Sequence, residues 1–468
     1  MHPHSARMRA RLAQIDEQLL LLQKEKTTLE HALATAIYPV LTLPSEITSE
    51  IFARCVEWHR EPDPKHAPLL ITYVCRAWRD IAIHDPTLWN SVRFICRHGG
   101  ERNSYSSHLA KLYLERAGTT PLDLLVEIWL TVEAGGRPRL LQDVIDRSSQ
   151  WRKVVFHVSV ATLSDQFLGQ LDLPILETLS LFRTRDSPGF FHSSAFAVAP
   201  KLQVVTLLDN SNPSSIMLPW SQLTKITIPY CTWKSCIEVL GSAPNLVDLT
   251  FDPILPPRDY SDAVLAPYLH LKRLCVGGPE LDAVLCRLNL PNLEQLEVLP
   301  GSMLDNSESR PGLLSFFRRS PKLSQFSCSF VNSRRSFLLP LLVEMPNLSL
   351  LRLTASSCEV DAILRNLHQS PSFLPFIQNL SLAVLYGDGY GSNHITADVL
   401  SEAVFARWSS GSNAVERRSF RVIWEDWYNE DTDEWEDGIE KLVLDDRLLE
   451  LRRQGVDIHI GTEGKPWI

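Results

Sequence analysis

The side chains best suited to hold a metal or attack a carbonyl are fourteen histidines and nine cysteines, so their spacing decides which chemistry is open to the chain. No two cysteines form a C-x-x-C pair; the closest are Cys231 and Cys236. No histidine pair has metal-ligand spacing, and H-E-x-x-H, G-x-S-x-G and G-x-x-x-x-G-K do not occur. Most cysteines fall within apolar patterns, where a thiol is buried and inert. Gly387-Asp388-Gly389-Tyr390-Gly391 has the composition of a phosphate loop without its strand-to-helix setting or its Lys-Ser/Thr ending, and reads as a turn. Between 425 and 437, eight of thirteen residues are acidic, with Trp427, Tyr428 and Trp435 among them. A calcium loop needs ligands at set offsets around a central glycine, a pattern this stretch lacks. It reads as a solvated acidic loop or as a contact for a basic partner. No catalytic set, metal or organic cofactor is therefore expected, which weakens an enzyme built from dispersed residues.

The composition narrows the class further. With 44% apolar and 22% charged residues, the 468-residue chain has the balance of a globular protein, long enough for two to three domains or an elongated array. A net charge of −9 argues against nucleic acid as a partner. No apolar run reaches the roughly eighteen residues of a membrane span. Unpaired, odd-numbered cysteines favour reduced thiols in the cytoplasm or nucleus. Arg7, Arg9 and Arg11 are followed at once by Asp16, Glu17, Glu25 and Glu30, unlike an acid-poor transit peptide. Asn347-Leu348-Ser349 and Asn379-Leu380-Ser381 match the glycosylation pattern but lie inside expected strands, and both are discounted.

The elements carrying the densest apolar load lie in residues 43–89. Pro44 suits the first turn of a helix, after which Ile47, Ile51 and Phe52 share one face. Pro62, Pro64 and Pro68 interrupt the chain; Leu70, Val74, Trp78 and Ile81 then line a second helical face, and Pro86 stops it before Leu88 and Trp89. A unit of about 50 residues is marginal alone and is expected to lean on a partner. The order L-P-x-E-I-x-x-x-I-F, V-C-R-x-W-R-x-I-A and L-W resembles an F-box, in particular the paralog-rich fungal branch with a proline-containing insert, here 57–68. The resemblance implies docking to a Skp1-type adaptor within a cullin-based ubiquitin ligase through Leu43, Pro44, Ile47, Ile51, Phe52, Val74, Cys75, Trp78, Leu88 and Trp89. The remaining chain would select the protein substrate.

Upstream, Leu12, Ile15, Leu19, Leu22, Lys26, Leu29 and Leu33 recur at alternating spacings of three and four, a short heptad seam with a lysine at one core position. Weak self-association through residues 12–33 and folding back onto the neighbouring domain both remain open. Downstream, residues 96–110 read as a loop, 108–116 as a short helix ended by Gly118, and 121–130 as a strand. From 151 the template P-x-L-x-x-L-x-L recurs in 174–181, 200–207, 244–251, 291–298, 321–328, 346–353 and 375–382, and without the proline in 151–156, 223–228 and 271–276. The first apolar anchors fall at 151, 176, 202, 223, 246, 271, 293, 323, 348 and 377, a period of 21 to 30 residues that belongs to leucine-rich repeats.

Helical patterns such as Leu281-Ala283-Val284-Leu285-Leu288 and Ile363-Leu364-Leu367 fill the intervals. Strand then helix, repeated, predicts an α/β fold: an N-terminal helical F-box, then an irregular leucine-rich-repeat solenoid with parallel strands inside and helices outside. The expected organisation is a coiled-coil or amphipathic helix over 1–38, the F-box over 41–95, a connecting segment over 96–150, the repeats over 151–411 and a cap over 412–468. Within the cap, 442–451 forms a helix stopped by Gly455 and 456–460 a last strand covering the sheet edge. By strand alternation, Lys225, Asp248, Arg273, Gln295 and Gln325 form one row facing away from the core, either a register-setting ladder or a site for an acidic or phosphorylated target segment. The expected function is a non-catalytic substrate receptor; a repeat scaffold acting outside any ligase is the alternative.

Overall fold

The computed structural model describes residues 3–35, 42–57, 60–97, 101–129, 139–158, 168–183, 193–208, 215–255, 264–278, 281–300, 310–329, 338–385, 395–408, 419–424, 427–429, 434–436 and 446–462. Two compact units divide the chain: 1–92 with 108–120, and 93–107 with 121–468.

The first unit is helical. It contains α1 (Pro3–Thr35), α2 (Ser45–Cys55), α3 (Leu69–Val74), α4 (Arg76–His84), a 3-10 turn at Pro86–Trp89 and the second half of α5 (Glu101–Ala117). Pro44 sits one place earlier than the expected first turn: it caps α2, and its carbonyl accepts both the Thr48 N–H (3.0 Å) and the Thr48 hydroxyl (3.1 Å). The single helical face expected from Leu70 to Ile81 is broken at Cys75, which is extended at φ −155° and ψ 172°. The run Ile71-Thr72-Tyr73-Val74 consists of β-branched and aromatic residues with poor helix propensity, and Cys75 restarts the helix by accepting the Trp78 N–H on Sγ at 3.5 Å. The expected loop at 96–110 is also corrected, because α5 already begins at Glu101. Buried Leu109, Ala110, Tyr113, Leu114 and Ala117 anchor its second half, and cooperative propagation extends the helix backward. Gly118, at φ +59°, ends it.

The second unit is built on a 14-stranded sheet. Its strands are β1 (Ser91–Arg97), β2 (Leu122–Trp129), β3 (Trp151–Val158), β4 (Thr178–Arg183), β5 (Val204–Leu208), β6 (Lys225–Thr232), β7 (Asp248–Leu255), β8 (Arg273–Val276), β9 (Gln295–Val298), β10 (Gln325–Ser329), β11 (Leu350–Ser356), β12 (Asn379–Leu385), β13 (Ser419–Trp424) and, after the antiparallel pair β14 (Trp427–Asn429) and β15 (Glu434–Glu436), β16 (Asp457–Thr462). Spatial order follows chain order, and every neighbouring pair from β2 to β16 is parallel. The sheet starts upstream of residue 151, since β2 and helix α6 (Arg139–Ile145) fall within 96–150.

The periodic anchors make the repeat. All ten, from Trp151 through Leu176, Leu202, Leu223, Leu246, Leu271, Leu293, Leu323 and Leu348 to Ile377, are buried. From Leu176 onward, the residue after each anchor donates its N–H to a carbonyl of the preceding repeat: Glu177 to Arg152, Gln203 to Glu177, Thr224 to Gln203, and so on to Gln378 on Ser349, at 2.8 to 3.0 Å. Strands β5, β6, β8 to β11 and β13 then alternate buried and open positions, with Ile226, Leu274, Leu296, Phe326 and Leu351 in the core. Helices such as Trp233–Ser242, Leu281–Arg287, Ser357–Gln369 and Ala397–Trp408 fill the intervals. Leu281, Val284, Leu285, Ile363, Leu364 and Leu367 are buried as the periodicity requires. The chain is thus α/β, with a parallel sheet repeated strand by strand.

At the C-terminal end, helix Asp446–Arg453 stops at Gly455, which takes φ +95°, and β16 pairs with β13. Residues 442–445 lie outside the described residues, as does the 387–391 turn. The described parts of the acidic stretch pair as β14 and β15, rather than forming only a loop. Among the described residues, no helix is long and apolar enough to cross a membrane.

Candidate functional site

The structure splits the motif residues of 43–89 into two groups. Phe52, Leu88 and Trp89 are core. Trp89 meets Tyr113 edge to face at 4.9 Å, carries the Arg116 guanidinium 4.2 Å above its ring, and donates its indole N–H to the Ala82 carbonyl at 2.7 Å. A buried indole must find an acceptor, and the end of α4 offers a carbonyl that the helix leaves unpaired. In the second unit Trp151 donates to Val144 near the end of α6 at 3.1 Å, a carbonyl that also accepts the Arg147 N–H. Burial pulls the pKa of Arg116 down, the proximity of Tyr113 opposing this.

Leu43, Pro44, Ile47, Ile51 and Val74 form the second group and are exposed, joined by Leu70 and Tyr73 on α3, which the motif reading did not include. α2 and α3 therefore carry an exposed apolar set larger than scattered surface residues usually make. Trp78 and Cys75 fall between the groups. The Trp78 ring packs on Phe52 at 5.1 Å, and its indole N–H finds no partner among the described residues. That ring lines a cleft of about 330 Å³ together with Cys55, Leu70, Val74, Arg60 and His66. Trp78 and Trp89, expected to serve one docking junction, thus do different work: Trp89 is interior, whereas Trp78 borders a cleft.

On the sheet, Lys225, Asp248, Arg273, Gln295 and Gln325 stand in direct register across β6 to β10. Asp248 is buried and accepts from both neighbours, Lys225 Nζ at 3.1 Å and Arg273 at 3.1 Å. Both cations are thereby turned toward one carboxylate, the geometry of a register-setting ladder. One row further along the strands, Glu297, Ser327, Arg352, Ser381, Arg421 and His459 are likewise in register. Arg421 reaches Asp457 at 2.6 Å, whereas Arg352 is exposed and has no partner among the described residues. This second row is read from the register of the sheet, which also singles out its uncommitted cation.

A polar cluster missed in the sequence occupies the other end of the sheet. Glu127, His157 and Phe182 are in register, the His157 and Phe182 rings stack at 4.3 Å, and Arg93 reaches Glu127 at 2.7 Å. Burial lowers the His157 pKa; Glu127 opposes the shift and Arg93 adds to it. Asp123, also buried, is held by both nitrogens of the Arg152 fork at 2.9 and 2.7 Å. These pairs join residues 29 and 34 apart in sequence, so no local pattern could have announced them.

A second missed feature is an asparagine stitch. In the Pro-Asn-Leu versions of the repeat, Asn245, Asn292 and Asn347 donate their side-chain amides to Ser221, Leu269 and Pro321, each in the preceding repeat, at 2.7 to 2.8 Å. Asn347, discounted as a glycosylation site, thus has a structural role. Eight cysteines are described and all are free thiols. Burial raises the pKa of Cys231 to about 12 and of Cys275 and Cys286 to about 11. Among the described residues, no group of three His, Cys, Asp or Glu side chains is placed to hold a metal. In comparison with known proteins, the chain matches no family model and is significantly similar to no curated protein.

Proposed function

We propose that this chain is the substrate-receptor subunit of a Skp1-cullin-F-box ubiquitin ligase, with an F-box over 41–95 and a leucine-rich-repeat array over 151–411. The observation that carries the proposal is the division within one short motif. Phe52, Leu88 and Trp89 hold the helical unit together, while Ile47, Ile51, Leu70, Tyr73 and Val74 remain exposed on α2 and α3. Such side chains are what an adaptor would bury, and their desolvation would supply the affinity. The receptor acts by proximity, holding a target lysine near a charged ubiquitin carrier and raising its effective concentration without a catalytic residue. The target lies on the open side of the strands. There Lys225 and Arg273 share Asp248, with Gln295 and Gln325 continuing the row, and Arg352 offers the uncommitted charge for an acidic or phosphorylated segment. The cytoplasm and nucleus are the compartments such a ligase requires.

Co-expression with a Skp1-type adaptor and a cullin, followed by capture on the tagged chain, tests this directly. Capture of both by the wild-type chain, with loss in an Ile47→Lys/Val74→Lys variant of unchanged melting temperature, supports the assignment. Undiminished adaptor capture by that variant, or none by the wild type, removes it.

A further inference from the structure

Helix α1 runs unbroken for 33 residues, and every described side chain on it, from Arg7 to His31, is exposed. Met8, Leu12, Ile15, Leu19, Leu22 and Leu29 fall on one seam, to which Leu20 and Leu21 add apolar surface at its middle. Helices in proteins gain most of their stability from packing an apolar stripe, so a solvated seam of this length calls for a partner helix. Charge arithmetic on the seam identifies that partner and its direction.

With Met8, Ile15, Leu22 and Leu29 at the d positions and Leu12, Leu19 and Lys26 at the a positions, the flanking e positions hold Arg9, Asp16, Gln23 and Glu30 and the g positions Arg11, Gln18 and Glu25. A parallel, in-register pair sets Lys26 against Lys26 of the second copy in one core layer and Glu25 beside Glu30. Two kinds of like-charge contact, the Glu25–Glu30 one twice by symmetry, then oppose a short coiled coil, against the single attractive kind, Arg11 beside Asp16. The antiparallel register that sets Leu12 on Leu29 and Leu19 on Leu22 of the second copy removes both. Lys26 then faces Ile15, and the two lysines lie about 16 Å apart along the axis, from eleven residues at about 1.5 Å each. Arg9 comes beside Glu30 of the second copy, twice by symmetry, and Gln18 beside Glu25, with no like-charge flanking pair. The dyad passes between Leu20 and Leu21, so the four-leucine run 19–22 crosses itself at the centre.

We infer that α1 is a self-association element that pairs antiparallel with α1 of a second copy of this chain. In the free chain Glu30 lies 3.7 Å from Lys26 on the same helix, and both are largely exposed. Glu30 therefore gives up only a screened contact to meet Arg9. The pairing depends on α1 alone and stands whether or not the chain serves a ligase.

Sedimentation equilibrium of the full chain over about 1 to 100 µM tests it, with three variants. Glu30→Arg turns two attractive contacts repulsive in the antiparallel pair and should weaken self-association about tenfold, whereas a parallel pair would gain attraction between Glu25 and the introduced guanidinium and tighten. The double reversal Arg9→Glu/Glu30→Arg should restore wild-type association, and Leu19→Asp/Leu22→Asp should give a monomer with an unchanged melting profile. A monomeric wild type throughout the range, or tightened or unaltered association in Glu30→Arg, overturns the inference.

Discussion

Placing a lysine at Ile47 and at Val74 separates a docking surface from a core. The two side chains are 51% and 56% exposed, so about half of each apolar surface is left for a partner to cover. Burying a whole side chain of this size is worth about 1.5–3 kcal/mol, which makes the uncovered half about 1 kcal/mol each. Together the substitutions remove about 2 kcal/mol of binding, roughly a 30-fold rise in Kd, before any cost of pressing an ammonium against an apolar partner. The lysine stem retains much of the contact that the buried half makes within the unit, so folding stability should change by about 0.5 kcal/mol or less. Trp89→Ala is the opposite case. It empties the space between α4 and α5, frees the Ala82 carbonyl, and should destabilise the first unit by about 3–5 kcal/mol. Calorimetric titration with a purified Skp1-type adaptor, alongside thermal melts of both variants, makes the comparison. A Kd within about threefold of wild type for the lysine pair, with intact melting, would refute the assignment of α2 and α3 as the dock.

Three further outcomes are expected. Asp248→Asn leaves Lys225 and Arg273 without their shared carboxylate; allowing for the half-exposed cations, the loss should be about 1–2 kcal/mol in denaturant unfolding, and an unchanged midpoint would count against the ladder. His157, whose folded pKa lies below the ordinary 6.5, binds fewer protons folded than unfolded. Its contribution to stability is complete above pH 6.5 and is lost as the pH falls toward the folded value; an NMR titration giving 6.5 or higher would contradict the burial effect. Alkylation at neutral pH should label Cys55 and Cys358 first, both being exposed, and reach Cys236 and Cys328, whose thiols burial holds protonated, only after denaturation. Peptide mapping reads the order, and early labelling of Cys236 would show that the repeat core opens.

The sequence by itself determined the repeat and its direction. Ten apolar anchors at a period of 21 to 30 residues, each followed by strand alternation, admit few solutions other than stacked strand-and-helix units, and all ten are buried. It also determined the row from Lys225 to Gln325, because equivalent positions of equivalent repeats must align once the sheet is parallel. Only the tertiary structure decided which motif residues remain uncovered. Ile47 and Phe52 look alike in the sequence, yet one is exposed and the other buried, since burial depends on which distant element arrives. The longer α5, the Asn245, Asn292 and Asn347 stitches and the ion pairs Arg152–Asp123 and Arg93–Glu127 share that origin. Periodicity is written in neighbours along the chain, whereas a hydrogen bond across 23 to 34 residues exists only once the register of the sheet has brought its two ends together.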